Sequence, residues 1–185
     1  MTKRALVIID VQNDYFPGGK FTLENIEAAA ANAARLLQAA RDAGELVVHV
    51  RHEFASADAP FFAPGSEGAA INPAVTPAPG ESVVLKNAVN SFKDTNLKQL
   101  LDSNGVTAVT LAGAMSHMCV EAAARAATDF GYQTTVVHDA VATRDLSFND
   151  VTVPAAQVHA AVMAALGFAY ATLYSTDEYL ASAQA

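Results

Sequence analysis

The sequence predicts an α/β protein of three αβα layers, with a six-stranded, mostly parallel sheet carrying helices on both faces. Three observations predict it. Runs rich in β-branched residues alternate with Ala- and Leu-rich runs of helical pattern, and βαβ alternation builds parallel sheets covered on both sides. The first strand run, RALVIID at 4–10, is almost unbroken in its apolar character, as a strand buried on both faces must be. Neither a repeat nor a linker interrupts the 185 residues. A single domain therefore spans 1–185, large enough for a full core.

The elements follow in order. After the strand at 4–10, residues 23–43 carry a helical stripe of Ile26, Ala30, Ala33, Leu37 and Ala40, with Gly44 as its stop. ELVVHVR (45–51) and SVVLK (82–86) are the second and third strands. A short helix near 94–103 leads to a fourth strand, VTAVTLAG (106–113). The next helix runs from about 117 to 130 and stops at Gly131. QTTVVHD (133–139) is the fifth strand, 154–166 a helix ending at Gly167, AYATLYS (169–175) the sixth strand, and TDEYLASA a closing helix. Two segments fall outside the scheme: the Pro-rich 53–81, with Phe54, Phe61 and Phe62, and the polar 139–153. Loops this long in a compact domain are usually functional.

Composition removes several function classes. The chain is 52% hydrophobic and 16% charged, which is globular rather than disordered. Lys and Arg number 11 against 19 Asp and Glu, a net charge of -8, so nucleic acid is not an expected partner. The apolar runs have strand length, short of the ~20 residues that span a bilayer, so no membrane association is expected. MTKRALVIID lacks the apolar stretch of a signal peptide. The single cysteine, Cys119, forms no intrachain disulfide and suits a reducing compartment. The expected location is cytoplasmic.

Ligands of open α/β sheets bind outside the carboxyl ends of the strands. There the first strand ends on Asp10, the third on Lys86, and the fourth runs into the turn that carries Cys119. Each residue also has an ordinary reading. Asp10 could start a turn with Asn13 and Asp14, Lys86 could be a solvated strand end, and Cys119 could be an inert core thiol spaced with Ala122, Ala123 and Ala126. Their coincidence on one rim favours chemistry. With Ser116 as N-cap, Cys119 falls in the first helical turn, where unpaired N–H groups and the dipole stabilise a thiolate. A lysine would lower the thiol pKa further, and a carboxylate could shuttle its proton. The same N–H groups could hold an oxyanion.

The motifs LVIIDVQNDY (6–15), VVHVRHE (47–53), VVLKNAVNSF (83–92), LAGAMSHMCVEAAARAATDFGY (111–132) and VVHDAVAT (136–143) resemble those of the isochorismatase-like cysteine hydrolases. That superfamily includes nicotinamidases, N-carbamoylsarcosine amidases, ureidoacrylate amidases and isochorismatase. The resemblance covers nearly the whole chain. It implies a catalytic triad of Asp10, Lys86 and Cys119. It also implies a cis peptide between Ala114 and Met115, which would set the Met115 N–H beside that of Cys119 as an oxyanion hole. The implied activity is metal-independent hydrolysis of a small molecule's C–N amide bond through a Cys119 thioester. Dimers or tetramers of the chain are implied as well.

The resemblance also bears on cofactors. Nicotinamidases of the superfamily hold a metal on an Asp-x-His motif. The matching stretch here is His49-Val50-Arg51-His52-Glu53, with Arg51 in the aspartate position. His49 and His52, three apart on a strand, point to opposite faces. No metal or other cofactor is expected. The substrate-binding candidates on the rim are Phe16, Arg51, His52, Asn90, Phe92 and His117, with Phe54, Phe61 and Phe62 as an apolar cover. Arg51, if it faces the pocket, would favour a carboxylate. Two alternatives stand beside this reading: a vinyl-ether hydrolase of the isochorismatase type, which needs no thiol, and a non-catalytic binding member.

Overall fold

The computed structural model describes residues 3–183; residues 1–2 and 184–185 of the expected 1–185 domain lie outside the described residues. Strands β1 (Arg4–Ile9), β2 (Leu46–His52), β3 (Ser82–Lys86), β4 (Ala108–Ala114), β5 (Gln133–Ala142) and β8 (Thr172–Tyr174) form one sheet in the order β3-β2-β1-β4-β5-β8. Every pairing in it is parallel. The three-layer prediction holds.

The two faces are buried by different helices. Helix α1 (Ile26–Asp42) presents Ala30, Ala33, Leu36, Leu37 and Ala40 to Leu6, Ile8 and Val47, joined by Leu180 of α5 (Thr176–Ala183). On the other face, Val7, Ile9, Val48, Val50 and Leu111 meet α2 (Leu97–Ser103), α3 (Glu121–Asp129) and α4 (Ala155–Ala169). Each Leu or Ile buried this way contributes about 1.5–3 kcal/mol. The predicted stripe of α1 is buried throughout. Its stop is also as expected: Gly44 has φ 65°, and the Glu45 N–H closes onto the Ala40 carbonyl.

Three expectations change. Gly167 does not end α4, which continues to Ala169. A Cβ at that position would lie 3.0 Å from Leu173 Cδ1, so the glycine serves close approach of α4 to β8. The segment expected to be irregular extends β5 to Ala142 and then forms an antiparallel hairpin, β6 (Leu146–Phe148) and β7 (Val151–Val153). Its turn residues Asn149 and Asp150 have φ 47° and 61°, as a type I′ turn requires. The helix expected from 117 begins with a π turn at Ser116–Val120. No helix among the described residues is long and apolar enough to cross a membrane.

Candidate active site

Asp10 follows the last residue of β1. Its N–H still donates to the Val50 carbonyl, at 2.9 Å, but its φ of 53° turns the chain out of the strand. Aspartate tolerates this left-handed region better than most residues. Lys86 ends β3, the edge strand, opposite His52 in the β2 register. Alternation along β3 points Val84 and Lys86 inward and leaves Val83 and Leu85 46% and 43% exposed. Cys119 arrives from β4 through the cis Ala114–Met115 peptide and the π turn. Single π turns inside helices recur at functional sites.

These three side chains meet, with residue exposures of 0% for Asp10, 1% for Lys86 and 6% for Cys119. Lys86 Nζ lies 2.8 Å from Asp10 Oδ2. It makes hydrogen bonds to His52 Nδ1 at 3.0 Å, the Ala88 carbonyl at 3.1 Å and Cys119 Sγ at 3.3 Å. Lys86 and Asp10 thus form a fully buried ion pair. Burial alone would pull the ammonium's pKa down, but Asp10 and Cys119 outweigh it and the pKa is raised. Lys86 therefore stays charged.

The thiol differs from its sequence expectation. Burial, then the Asp10 charge, pushes the Cys119 pKa well above its ordinary value, against the opposing pull of Lys86. Desolvation outweighs the cation here. The resting group is a thiol beside a carboxylate able to take its proton, not a standing thiolate. Ser116 is not the side-chain cap either. Met115 holds the N-cap position without a side-chain cap bond, and Ser116 Oγ is buried without a partner among the described residues. The Met115 carbonyl instead accepts the N–H groups of Met118 and Val120.

The other predicted positions divide. His52 joins the cluster through Lys86. His117, half-buried in the π turn, sits 2.6 Å through Nδ1 from Thr143 Oγ1. Phe16 is half-buried between two apolar clusters. Arg51 is not brought to the triad: it lies on the strand face opposite His52, and its guanidinium is 2.6 Å from Glu53 Oε1. Asn90 and Phe92 make local contacts. Asn90 Oδ1 accepts the Phe92 N–H at 3.0 Å, and the Phe92 ring packs on Phe130 and Tyr132. Of the proposed aromatic cover, Phe62 is fully buried in a cluster with Tyr15 and Phe61. Phe54 sets its ring edge-to-face with His52 at 4.7 Å.

Three contributors escaped the sequence reading. Gln12 is fully buried and acts as a clamp. Its Nε2 donates to the His52 and Ala69 carbonyls, both at 2.8 Å, and its Oε1 accepts the His52 N–H at 2.7 Å. The QND stretch was a visible signal, but its partners lie 40 and 57 residues away. Tyr15 is buried, and desolvation, then the charge of Asp10, holds its phenol protonated. Arg144 stacks on Phe21, its guanidinium carbon 4.1 Å from the ring centroid. Its charge is felt by both Tyr15 and His117, and it has no ion-pair partner among the described residues. A lone arginine in a polar loop carries no sequence signal of this.

The nicotinamidase metal motif does not fit these residues. Arg51 occupies the aspartate position and pairs with Glu53, His49 Nε2 bonds Glu81 at 2.9 Å, and His52 Nδ1 faces an ammonium. Among the described residues no three His, Cys, Asp or Glu side chains gather as a ligand set.

The sequence model of the isochorismatase domain matches residues 4–172. The chain is 47% identical over 176 residues to an uncharacterized isochorismatase family protein of Bacillus subtilis, YddQ, covering 95% of this chain and 98% of that one. It is 36% identical over 159 residues to the maleamate amidohydrolase of Pseudomonas putida, covering 77% and 73%. The solved structure of a putative isochorismatase hydrolase from Oleispira antarctica superposes with a TM-score of 0.94 at 55% identity, covering 97% of each chain.

Proposed function

The chain belongs to the isochorismatase family, and from that premise we propose that it is a cysteine hydrolase opening the C–N amide bond of a small molecule that carries a carboxylate. The observation that carries this reading is the water-excluded meeting of Lys86 with Asp10 at 2.8 Å and Cys119 at 3.3 Å. A nucleophile, a proton acceptor and a fixed cation are the parts acyl transfer needs.

Asp10 takes the thiol proton as Cys119 Sγ bonds to the substrate carbonyl carbon. The carbonyl oxygen becomes an oxyanion held by the N–H groups of Met115 and Cys119. Asp10 returns the proton to the leaving nitrogen as the C–N bond breaks, and ammonia or an amine departs. Water then attacks the thioester. Asp10 takes a proton from that water, the C–S bond breaks, and the proton restores the thiol as the acid product leaves. Lys86 remains an ammonium throughout and balances whichever neighbour is negative. No step runs through a metal.

Arg144 is the proposed carboxylate anchor, in place of Arg51, because its fork is not engaged by an acid of the described chain and its charge reaches the site. A relative named for maleamate, itself an amide bearing a carboxylate, supports the same class. Vinyl-ether hydrolysis needs an acid but no thiol, so it leaves the Lys86–Cys119 contact without a purpose. The reading also includes a single domain over 1–185, no nucleic-acid partner for a chain of net charge -8, and self-association as dimers or tetramers. Phe148 and Phe168, 79% and 91% exposed, are the apolar groups such contacts would cover.

The experiment is an ammonia-release screen over small amides and ureides, with and without a carboxylate. Cys119→Ala should lose turnover by at least about 10³-fold and keep its fold by circular dichroism. Undiminished turnover in that variant removes the proposal.

A further inference from the structure

We infer that His52, as a neutral imidazole with its proton on Nε2, is a positioning residue: it takes one hydrogen of the Lys86 ammonium and so helps to aim another at the Cys119 sulfur. The inference rests on the proposed function above only for the identity of the nucleophile. An ammonium has three hydrogens and no lone pair. Its three well-directed acceptors here are His52 Nδ1 at 3.0 Å, the Ala88 carbonyl at 3.1 Å and Cys119 Sγ at 3.3 Å. Asp10 Oδ2, 2.8 Å from Nζ, competes for the same hydrogens. Held by these two anchors, His52 and Ala88, the rotor leaves its third hydrogen on the side of the sulfur and Asp10.

Only one tautomer of His52 does this. A group that accepts from an ammonium needs the Nδ1 lone pair, so the ring proton sits on Nε2. The ring is held to that role. Burial, then the Lys86 charge, disfavours the imidazolium, with Asp10 and the Ala88 carbonyl opposing in part. Gln12 ties down the His52 backbone at both its N–H and its carbonyl, and Phe54 sets the ring edge-to-face. The charged or titratable groups that act on the ring are Lys86 from β3 and Asp10 after β1. Nε2 is buried without a partner among the described residues.

The test reads Cys119 directly, and the chain's single cysteine makes labelling unambiguous. Iodoacetamide alkylation is followed by mass against pH in the wild type, His52→Asn and His52→Leu. Asn and Leu have nearly the same shape, but only Asn offers an acceptor to Lys86. With Leu, the ammonium is free to turn toward Asp10 and away from the sulfur, so labelling at a given pH should be close to tenfold slower. Asn should recover most of that loss. Equal profiles for Leu and Asn, or faster labelling in Leu, overturn the inference. If the variants do not fold, nitrogen chemical shifts of the His52 ring in the wild type decide it. A neutral Nε2–H ring from about pH 5 to 8 is expected, and an Nδ1–H ring donating to Ala88 overturns it. None of these readouts needs a substrate, so a failed ammonia screen leaves them standing.

Discussion

Cys119, Gln12 and Arg144 show how differently single residues disclose themselves. Cys119 is visible because its type and position are chemically rare, yet its resting state is set by burial and by Asp10. Gln12 reads as an ordinary polar residue after a strand. In the fold its amide takes three backbone groups at once and fixes the end of β2 under His52. Gln12→Glu would replace two donated bonds with a carboxylate facing the His52 and Ala69 carbonyls. Its stability should fall by about 2–4 kcal/mol, measured as a shift of the urea midpoint. Arg144 acts at the rim. Arg144→Ala should raise KM for a carboxylate-bearing amide about tenfold or more and leave KM for a neutral amide nearly unchanged. Equal effects on both substrates would remove Arg144 as the anchor.

At the level of elements, β3 and the end of β4 carry the site. An edge strand ordinarily turns its lysines to water. In β3 the alternation instead sends Lys86 inward, because Val84 two residues earlier is packed in the core. β4 must pass close to β1 before it reaches Met115. Gly113 has φ 129°, and a Cβ there would collide with the Ile9 carbonyl. Only glycine meets both conditions. Gly113→Ala should cost several kcal/mol, roughly 2–4, and move the π turn that bears Cys119. Thermal denaturation and Cys119 labelling in the same variant check both effects. The β6–β7 hairpin was legible in part: Asn149-Asp150 is a turn signal, but its strands are only three residues each and leave too short a pattern.

For the whole molecule, the long 53–81 segment has only two short 3-10 turns of its own, Glu67–Ala69 and Pro73–Val75, and is held largely by distant side chains. Asp14 Oδ2 accepts the Phe62 N–H at 2.7 Å, and Asn13 donates to the Glu67 carbonyl at 3.0 Å. Glu81 closes the segment. It meets Arg41 of α1 at 2.7 Å, His49 of β2 at 2.9 Å and the Ala78 N–H at 2.7 Å. The Arg41 hydrogen bond leads in holding the Glu81 pKa down to about 2. A depressed carboxyl pKa stabilises the fold above the unfolded value, 4.5 here, and that contribution fades as pH falls toward the folded one. Glu81→Gln should therefore be less stable than the wild type at neutral pH, with the gap closing as the pH drops below about 4. Denaturant titrations across that window test the sign.

The sequence by itself determined the order of strands and helices, the stripe of α1, and which three side chains lie on the carboxyl rim. Hydrophobic period and element order are local properties of the chain, and a parallel sheet then leaves few topologies. Tertiary structure alone decided that Arg51 pairs with Glu53, that Asn90 accepts the Phe92 N–H, and that burial raises the Cys119 pKa. It also decided that Lys86 meets His52 Nδ1 and the Ala88 carbonyl. These outcomes depend on desolvation and on contacts between residues tens of positions apart. Neither quantity exists until the chain is folded.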